Sequence, residues 1–261
     1  MTIEVILTPS ELSALAKRNL RDAACVVFDV LRATSTFVTA LHNGAKAIVP
    51  VSEISEALAL RKKQPDVLLG GERDGVRILA PSGGVDFDLG NSPREYTPEK
   101  VRGKTIVSTT TNGTRALRAC AGAKTILAAS FLNLSATAEF AKKIQPTQVL
   151  LVCAGTRENT ALEDVLAAGA FCELLSIKPL TPVLSPLGRG EGVIQMSDSA
   201  ETARRAYAQA KSDLAAVVRT SENAQRLLAI PELRDDVSFC LQQDIFPLIA
   251  KMGTDGAILR G

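Results

Sequence analysis

The segment VVFDVLRATSTF, residues 26–37, is the most informative stretch of this chain for both fold and site. A short apolar run ends on Asp29, and apolar residues then recur at helical spacing, which predicts a strand turning into a helix. The turn carries a guanidinium and three hydroxyls, from Arg32, Thr34, Ser35 and Thr36. Helix N-termini attract anions such as phosphate. Asp29 lies beside the start of the predicted helix, so it is placed to hold a metal ion or to attack phosphorus. The simpler interpretation is that Asp29 starts a turn and the hydroxyls cap the helix.

The bulk composition limits the classes of partner. A chain of 261 residues can form one large α/β domain or two closely joined lobes. Its 30 basic and 28 acidic residues give a net charge of +2, which is too balanced for a nucleic-acid partner. No apolar run approaches the roughly 18 residues that span a bilayer, and the first residues do not resemble a signal peptide. Five cysteines without a CxxC pair indicate reduced thiols, so we expect a cytoplasmic protein.

The chain has a single histidine, His42, late in a predicted helix. This excludes paired phosphohistidines and an HExxH zinc site, and it leaves a Ser–His–Asp triad only His42. No cysteine is followed six residues later by arginine, so the Cys-x5-Arg phosphatase loop is absent as well. Cys153 lies where a nucleophile could, but without an activating base it is better interpreted as a buried thiol. Acid–base chemistry is therefore left to carboxylates.

Strands and helices alternate along the chain, which predicts βαβ units. We therefore predict a three-layer α/β/α fold with a mainly parallel or mixed sheet, in a single domain over residues 1–261. The predicted strands lie at 24–30, 46–51, 66–70, 104–109, 124–129 and 147–153. The predicted helices lie at 8–20, 34–43, 53–63, 113–121, 132–144, 160–177, 199–229 and 235–243. A sub-lobe boundary is expected near 178–192, and the long loop 71–103 is expected to be functional.

Polar or glycine-containing segments follow five of these strands, and ligands bind outside the carboxyl ends of strands in open α/β sheets. LGGER supplies Glu72 and Arg73, and ASFLN and CAGT follow later strands. TTTNGTR, residues 109–115, places hydroxyls, an Asn-Gly pair and an arginine at a helix start, where a phosphate, carboxylate or sulfonate would bind. The alternative is a turn capped by Asn112. The candidates from this segment are Thr111, Asn112, Gly113, Thr114 and Arg115.

Further carboxylates come from two other segments. DFDLGNSP supplies Asp86, Asp88 and Asn91, although an Asx-turn explains Asp88 and Asn91 equally well. Its DFDLG is similar to the DxDx[TV] motif of aspartyl phosphatases, but no buried strand precedes it, so we reject that class. In TALED, Glu163 completes a capping box and is interpreted as a helix cap. Asp164, the next residue, is not needed as a helix cap and could reach the cleft at the strand ends.

In combination, these motifs resemble the 2-phosphosulfolactate phosphatases of coenzyme M biosynthesis, a magnesium-dependent family. The matching segments are VVFDVLRATSTFVTALHNGA, LLGGER-DGV, FDLGNSPREYT, GKTIVSTTTNGTRAL, ASFLNLSA, VCAGT…ALEDVLAAG and DVSFCLQQDIFPLI, between about residues 24 and 250. Two departures bear on substrate preference: the link before DLGNSP is longer than in the family, and RENTALED lacks a Gly-x-Phe ahead of ALED. The resemblance implies Mg²⁺-dependent hydrolysis of a small phosphoester, with (R)-2-phospho-3-sulfolactate giving 3-sulfolactate and phosphate.

The resemblance and the strand-end residues together assign roles. Catalytic candidates are Asp29, Arg32 and Asp164. The leading magnesium ligands are Asp29 and Asp88, with Glu72 and Asp164 as further candidates, since Mg²⁺ prefers oxygen. Asp29 could instead be the nucleophile. Asp164 and Glu72 are the candidate proton donors to the leaving group. Substrate anions would meet Arg32, Arg73, Arg94 and Arg115 and the polar groups of Thr34, Ser35, Thr36, Asn91, Thr111, Asn112, Gly113 and Thr114.

Two other functions compete with this one. A binding protein for a phosphorylated or sulfonated metabolite would use the same anion loops without turnover. A phosphoryl transferase is disfavoured because the chain has no Walker-type glycine-rich loop. We also expect a homo-oligomer.

Overall fold

The computed structural model describes residues 1–79, 84–177 and 194–261. Its strands, numbered along the chain, are β1 (Thr2–Ile6), β2 (Ala23–Phe28), β3 (Ala47–Pro50), β4 (Leu68–Arg73), β5 (Val76–Arg77), β6 (Thr105–Thr109), β7 (Thr125–Ala129), β8 (Gln148–Cys153), β9 (Gln195–Met196), β10 (Ala250–Met252) and β11 (Ile258–Arg260). Its α-helices are α1 (Leu12–Leu15), α2 (Ala33–His42), α3 (Ile54–Lys63), α4 (Pro98–Val101), α5 (Gly113–Ala119), α6 (Leu134–Ile144), α7 (Leu162–Ser176), α8 (Asp198–Ala210), α9 (Leu214–Val218), α10 (Glu222–Leu228) and α11 (Arg234–Cys240).

These strands form one mixed, mostly parallel sheet in the order β5-β4-β6-β3-β11-β10-β7-β2-β8-β1-β9. Strand β2 shows why helices cover both faces. Val26 and Phe28 pack into one hydrophobic cluster, while Cys25 and Val27 pack into another, and all four are buried. Successive side chains of a strand point to opposite faces, so the sheet lies between two apolar layers. The predicted three-layer α/β/α fold is confirmed.

The C-terminal hairpin β10–β11 divides the sheet into two parallel blocks. β10 pairs antiparallel with β7, β11 pairs antiparallel with β3, and the two hairpin strands are antiparallel to each other. The block β4-β6-β3 therefore runs opposite to the block β7-β2-β8-β1-β9. In a flat sheet, the carboxyl ends of β6 and β2 would then lie at opposite edges. Neighbouring strands are each rotated by roughly 20–25°, and this twist accumulates over the intervening strands, so the two ends can meet at one cleft.

The six predicted strands are all present, within a few residues of the expected bounds. The predicted helix 199–229 is instead three helices, because new caps interrupt it. Asp213 accepts a hydrogen bond from the N–H of Ala216, and Ser221 accepts one from the N–H of Ala224, so each begins a new helix. The predicted helix at 8–20 is also shorter, with a 3₁₀ turn at Pro9–Glu11 followed by α1. The expected sub-lobe boundary near 178–192 lies outside the described residues.

All five cysteines are buried and free, which agrees with their interpretation as core thiols. Within residues 1–79, 84–177 and 194–261, no helix is both long enough and apolar enough to cross a membrane.

Candidate active site

A cleft opens where the ends of β2, β4, β6 and β8 meet helix α10. Charged and amide side chains dominate its lining, which consists of Asp29, Leu31, Arg32, Glu72, Asp74, Gly75, Asn91, Thr111, Asn112, Gly155, Thr156, Arg157, Asn223, Arg226 and Leu227. Four of the strand ends singled out from the sequence therefore converge. The fifth, after β7, does not line the cleft, because Ser130 and Asn133 form a buried capping box and Asn133 also bonds to the carbonyl of Leu248.

Asp29 lies at the tip of β2 and faces the cleft. Its Oδ1 accepts a hydrogen bond from the N–H of Ala33 at 3.0 Å, in the first turn of α2. The pKa of Asp29 is raised to about 7, mainly by burial; the charges of Glu72 and Glu163 act in the same direction, and the Ala33 N–H and Arg32 oppose them. The carboxyl group can therefore exchange a proton near neutral pH.

Gly113 is needed because Asp29 approaches it closely. A Cβ atom at Gly113 would lie 2.7 Å from Oδ2 of Asp29 and 2.8 Å from the Cβ of Ala33. Both distances are too short for a side chain, so only glycine lets the first residue of α5 pack against the tip of β2. The Asn-Gly pair that the sequence analysis selected thus fixes where the Asp29 carboxylate lies.

The three hydroxyls after Asp29 hold the turn and the helix start, as the simpler interpretation of this segment predicts. Thr34 donates to the carbonyl of Asp29, Ser35 donates to that of Val30 and Thr36 donates to that of Asn91, at 2.8–2.9 Å. All three residues are fully buried. They hold the turn and the neighbouring loop in place and do not line the cleft, so the expectation that they contact substrate is not supported by their positions.

Arg32 lines the cleft from a buried position. Its Nη1 donates to Oδ2 of Asp236 at 2.8 Å, and its Nη2 donates to the carbonyl of Gly75. Asp236 also accepts a hydrogen bond from Ser92 at 2.7 Å, and Arg94 lies 3.8 Å from it. The α11 carboxylate therefore sets the direction of the guanidinium, which keeps further N–H groups for an anion.

Glu72 connects two loops of the cleft. Its Oε2 accepts from the N–H of Gly75 at 2.8 Å, and its Oε1 accepts from the N–H and hydroxyl of Thr111 at 2.8 and 3.0 Å. Asn112, next in the chain, donates to the carbonyl of Gly155 at 2.7 Å. The strand ends of both parallel blocks are thus joined by side-chain hydrogen bonds.

The remaining predicted anion-binding residues lie away from the cleft. Arg73 donates to the carbonyls of Glu72 and Ser52 and to the hydroxyl of Thr109. Arg115 forms an exposed ion pair with Glu158 at 3.0 Å. The Thr114 hydroxyl donates to the carbonyl of Thr110. Arg73 and Arg115 therefore differ from the expectation, since their guanidinium groups are taken up by other partners.

Asp88 and Asp164 also lie outside the cleft lining. Asp88 pairs with Arg61 and accepts from the N–H of Leu69 at 2.7 Å, so it anchors the long loop to β4 and does not line the cleft that Asp29 and Glu72 line. Asp164 is buried, and its two oxygens accept from the N–H groups of Val30 and Gly155 at 2.8 and 3.0 Å. Burial raises its pKa well above the usual value. Asp164 thus holds the turns after β2 and β8, and its expected catalytic role stays a prediction.

Glu163 does not complete the expected capping box, because Ala161 is the N-cap of α7 and, among the described residues, no side chain caps this helix. It is fully buried, and its Oε1 accepts from the side-chain amide of Asn223 at 2.6 Å, while Oε2 has no partner among the described residues. Burial raises its pKa. Asn223 also donates to the Thr156 hydroxyl, so Glu163 supports the cleft wall formed by α10.

Comparison with known proteins identifies the family. A family model described as 2-phosphosulpholactate phosphatase matches residues 8–254. The chain belongs to this family. A probable 2-phosphosulfolactate phosphatase of Thermotoga petrophila is 42% identical over 235 residues, which cover 90% of this chain and 91% of the relative. One of Clostridium acetobutylicum is 34% identical over 262 residues, which cover 99% and 100%. One of Caldanaerobacter subterraneus is 38% identical over 242 residues, which cover 92% of each.

The resemblance to this phosphatase family implies Mg²⁺, and the cleft offers hard oxygen atoms for it. Asp29 faces the cleft, and the side-chain oxygens of Asn91 and Asn112 are buried without a hydrogen-bond partner in the described chain. Mg²⁺ usually binds one or two carboxylates and keeps several waters, so a cluster of three acidic residues, which the described residues lack, is not required. The donor set therefore fits the ion.

Sequence reasoning missed four residues of this family member's site. Arg157, Asn223 and Arg226 line the cleft, and Asp236 holds Arg32. Asp236 begins the segment DVSFC that carried part of the resemblance, so a signal for it was present. Arg226 lies in a helix without any motif, and only the packing of α10 against the strand ends brings it to the site.

Proposed function

We propose that this protein is a Mg²⁺-dependent phosphatase that hydrolyses (R)-2-phospho-3-sulfolactate to 3-sulfolactate and phosphate. One observation of the site carries the proposal: the cleft-facing carboxylate of Asp29 lies against Gly113 beside the buried arginine Arg32. Membership of the family and the printed names of the relatives support the same reaction.

Asp29, Asn91 and Asn112 are the residues that we propose hold the magnesium ion. A buried oxygen acceptor without a partner costs about 1–3 kcal/mol, and a bound Mg²⁺ would satisfy the side-chain oxygens of Asn91 and Asn112. A bound Mg²⁺ would neutralise phosphate charge and polarise the phosphorus centre. The Ala33 N–H and the contact with Gly113 orient the Asp29 carboxylate before substrate arrives, which lowers the cost of assembling the site.

The arginine beside this position would bind the phosphoryl oxygens. Arg32 is held by Asp236 and the Gly75 carbonyl, so its remaining N–H groups point in a fixed direction. Charge-assisted hydrogen bonds of this kind stabilise oxyanions by about 1.5–3 kcal/mol. We do not propose Glu72 or Asp164 as the proton donor. The two oxygens of Glu72 already accept three hydrogen bonds, and Asp164 lies outside the cleft.

Phosphate release from (R)-2-phospho-3-sulfolactate, with and without Mg²⁺, tests the function. We expect chelation to abolish release, Mg²⁺ to restore it and Asp29→Asn to stay inactive at any Mg²⁺ concentration. Full activity after exhaustive chelation would contradict the metal requirement. Radiolabelled phosphate recovered on Asp29 after acid quenching would assign that residue as the nucleophile instead, and binding without any release would favour a metabolite-binding protein.

A further inference from the structure

Two arginines of the cleft have no role in the proposed function so far. Arg157 and Arg226 line the cleft, and within the described residues neither forms an ion pair. The arginines predicted to bind the substrate have other partners: Arg32 pairs with Asp236, Arg94 with Asp235 and Arg115 with Glu158, while Arg73 donates to two carbonyls and a hydroxyl. The cleft thus contains two guanidinium groups that form no ion pair with a described carboxylate, although the charge of Arg226 opposes the rise in the pKa of the buried Glu163 nearby.

Arg226 is held by neutral groups. Its Nη2 donates to Oδ1 of Asn223 at 2.6 Å, while its Nε is buried without a hydrogen-bond partner in the described chain. Asn223 is itself fixed, because its amide donates to Glu163 and to the Thr156 hydroxyl, each at 2.6 Å. The guanidinium is therefore oriented in advance without losing its charge, which is the arrangement that favours an incoming anion.

Gly75 shows that Arg226 and Arg32 approach the same point. A Cβ atom at Gly75 would lie 3.7 Å from Nε of Arg226 and 4.0 Å from Nη2 of Arg32. Of these two guanidiniums, only Arg32 has a carboxylate partner, so an anionic group between or beside them would relieve their repulsion. Asp74, the exposed acid at the same rim, forms no ion pair with either of them among the residues the structure describes.

Arg157 reaches the cleft from the turn after β8. Thr156 and Asn159 exchange two main-chain hydrogen bonds, at 2.8 and 2.9 Å, and Arg157 lies between them with φ +56°. An arginine in this left-handed conformation is uncommon, and residues held this way cluster at ligand sites. The turn brings a second positive charge to the wall that Arg226 occupies.

We propose that Arg226, with Arg157 on the same cleft, binds the second acid group of the substrate and makes the enzyme selective for phosphoesters that also carry a carboxylate or sulfonate. This inference rests on the proposed function and deepens it. Arg32 would meet the phosphoryl group, and Arg226 would meet an acid group on a neighbouring carbon. A phosphoester without such a group leaves the Arg226 charge unpaired in the bound complex, so it is a poorer substrate.

Three substrates that share one carbon skeleton test the selectivity: 2-phospho-3-sulfolactate, 2-phosphoglycerate, which lacks the sulfonate, and glycerol 2-phosphate, which lacks both acids. We expect Arg226→Gln to lower kcat/KM for the sulfonated substrate by about 10- to 150-fold, the effect of one lost charge-assisted contact. For glycerol 2-phosphate the loss should be below about threefold. An equal loss on these two substrates would overturn the proposal.

The 2-phosphoglycerate arm identifies the acid that Arg226 binds. A loss as large as with the sulfonated substrate assigns the carboxylate, and a loss as small as with glycerol 2-phosphate assigns the sulfonate. Arg219→Gln is the matched control, since Arg219 is an exposed arginine just before α10 that does not line the cleft. Arg226→Lys retains the charge but not the fork, so it should recover part of the selectivity, and thermal melting verifies that both Arg226 variants fold.

Binding of 3-sulfolactate separates failure of this inference from failure of the phosphatase function. This molecule has both acid groups but no phosphate, so calorimetry reports the second subsite without turnover. We expect Arg226→Gln to weaken its binding by about 10-fold or more, while Arg219→Gln leaves it unchanged. If the wild type hydrolyses none of the three esters but still binds 3-sulfolactate through Arg226, only the phosphatase function fails. Equal binding by the wild type and Arg226→Gln would overturn the subsite.

Discussion

Arg32 and Asp236 form a buried ion pair, with Nη1 of Arg32 2.8 Å from Oδ2 of Asp236, although the two residues are 204 positions apart in the chain. The arginine belongs to the turn after β2 and the aspartate to α11. The pair therefore ties the C-terminal helices to the strand that carries Asp29, and the site depends on both ends of the chain.

Removing the charge of Asp236 should destabilise the protein strongly. In Asp236→Asn the Arg32 guanidinium stays buried without its counter-charge, and breaking a buried pair in this way costs about 3–5 kcal/mol. Urea unfolding would measure the loss. Asp235→Asn is the matched control, because its carboxylate is 67% exposed and, among the described residues, pairs with the half-exposed Arg94 alone, so the expected change is within about 0.5 kcal/mol. Equal stability of the two variants would contradict the structural role of the pair.

Alanine at Gly113 should remove activity although alanine is the better helix former. An alanine in a helix usually adds about 1 kcal/mol relative to glycine. Here its methyl group would lie 2.7 Å from Oδ2 of Asp29, so the carboxylate must move. A displacement of about 1 Å in a catalytic group can cost about 100-fold in rate, and we expect kcat to fall by that order. Unchanged kcat with unchanged Mg²⁺ affinity would show that the position of Asp29 does not matter.

The gain in the free energy of unfolding from Asp29→Asn should depend on pH. The folded protein holds the Asp29 proton up to about pH 7, whereas an unfolded chain releases it near its ordinary value of about 4. Proton uptake by the folded state is therefore larger between these values, so stability falls as pH rises through this window. Asparagine resembles the protonated form and avoids the loss.

Thermal melting in metal-free buffer tests this dependence. Asp29→Asn should melt above the wild type at about pH 8 and close to it at about pH 4, with about 2–4 °C for each kcal/mol gained. Asp66→Asn, at an exposed carboxylate, serves as the control and should show no such trend. A difference that grows toward acid pH would have the wrong sign for a raised pKa.

Cys153 should be dispensable for catalysis. The thiol is fully buried at the end of β8, and burial raises its pKa well above the usual value, so it stays protonated and unreactive. We expect Cys153→Ala to keep most of its kcat, with a modest loss of stability from the smaller core side chain, and the wild type to resist iodoacetamide. Inactivation of a folded Cys153→Ala protein would reinstate a thiol nucleophile.

Much of the fold was predictable because the apolar patterns in the sequence match the residues that are buried in the structure. Apolar runs followed by helical periodicity predicted six of the strands and most helices, and the residues at the ends of four strands do meet in one cleft, but the parallel strands β1 and β9 were not predicted. The β10–β11 hairpin was not predictable, since strands of three residues carry almost no periodic signal and form only by pairing with β7 and β3.

Residue type and position along the chain predicted Asp29, Arg32, Glu72, Asn112 and Gly113 as site residues, and the structure places all five in the cleft or in contact with it. Polar groups that follow buried strands have few other places to go. Tertiary structure alone decided which charges remain available there. Asp88, Arg73 and Arg115 have partners that the fold brings from distant segments, and Arg226 reaches the cleft only because α10 packs over the strand ends. Ion pairing and desolvation act over a few ångströms in space, and one chain order is compatible with many such arrangements, so the available charge of a site is set by packing.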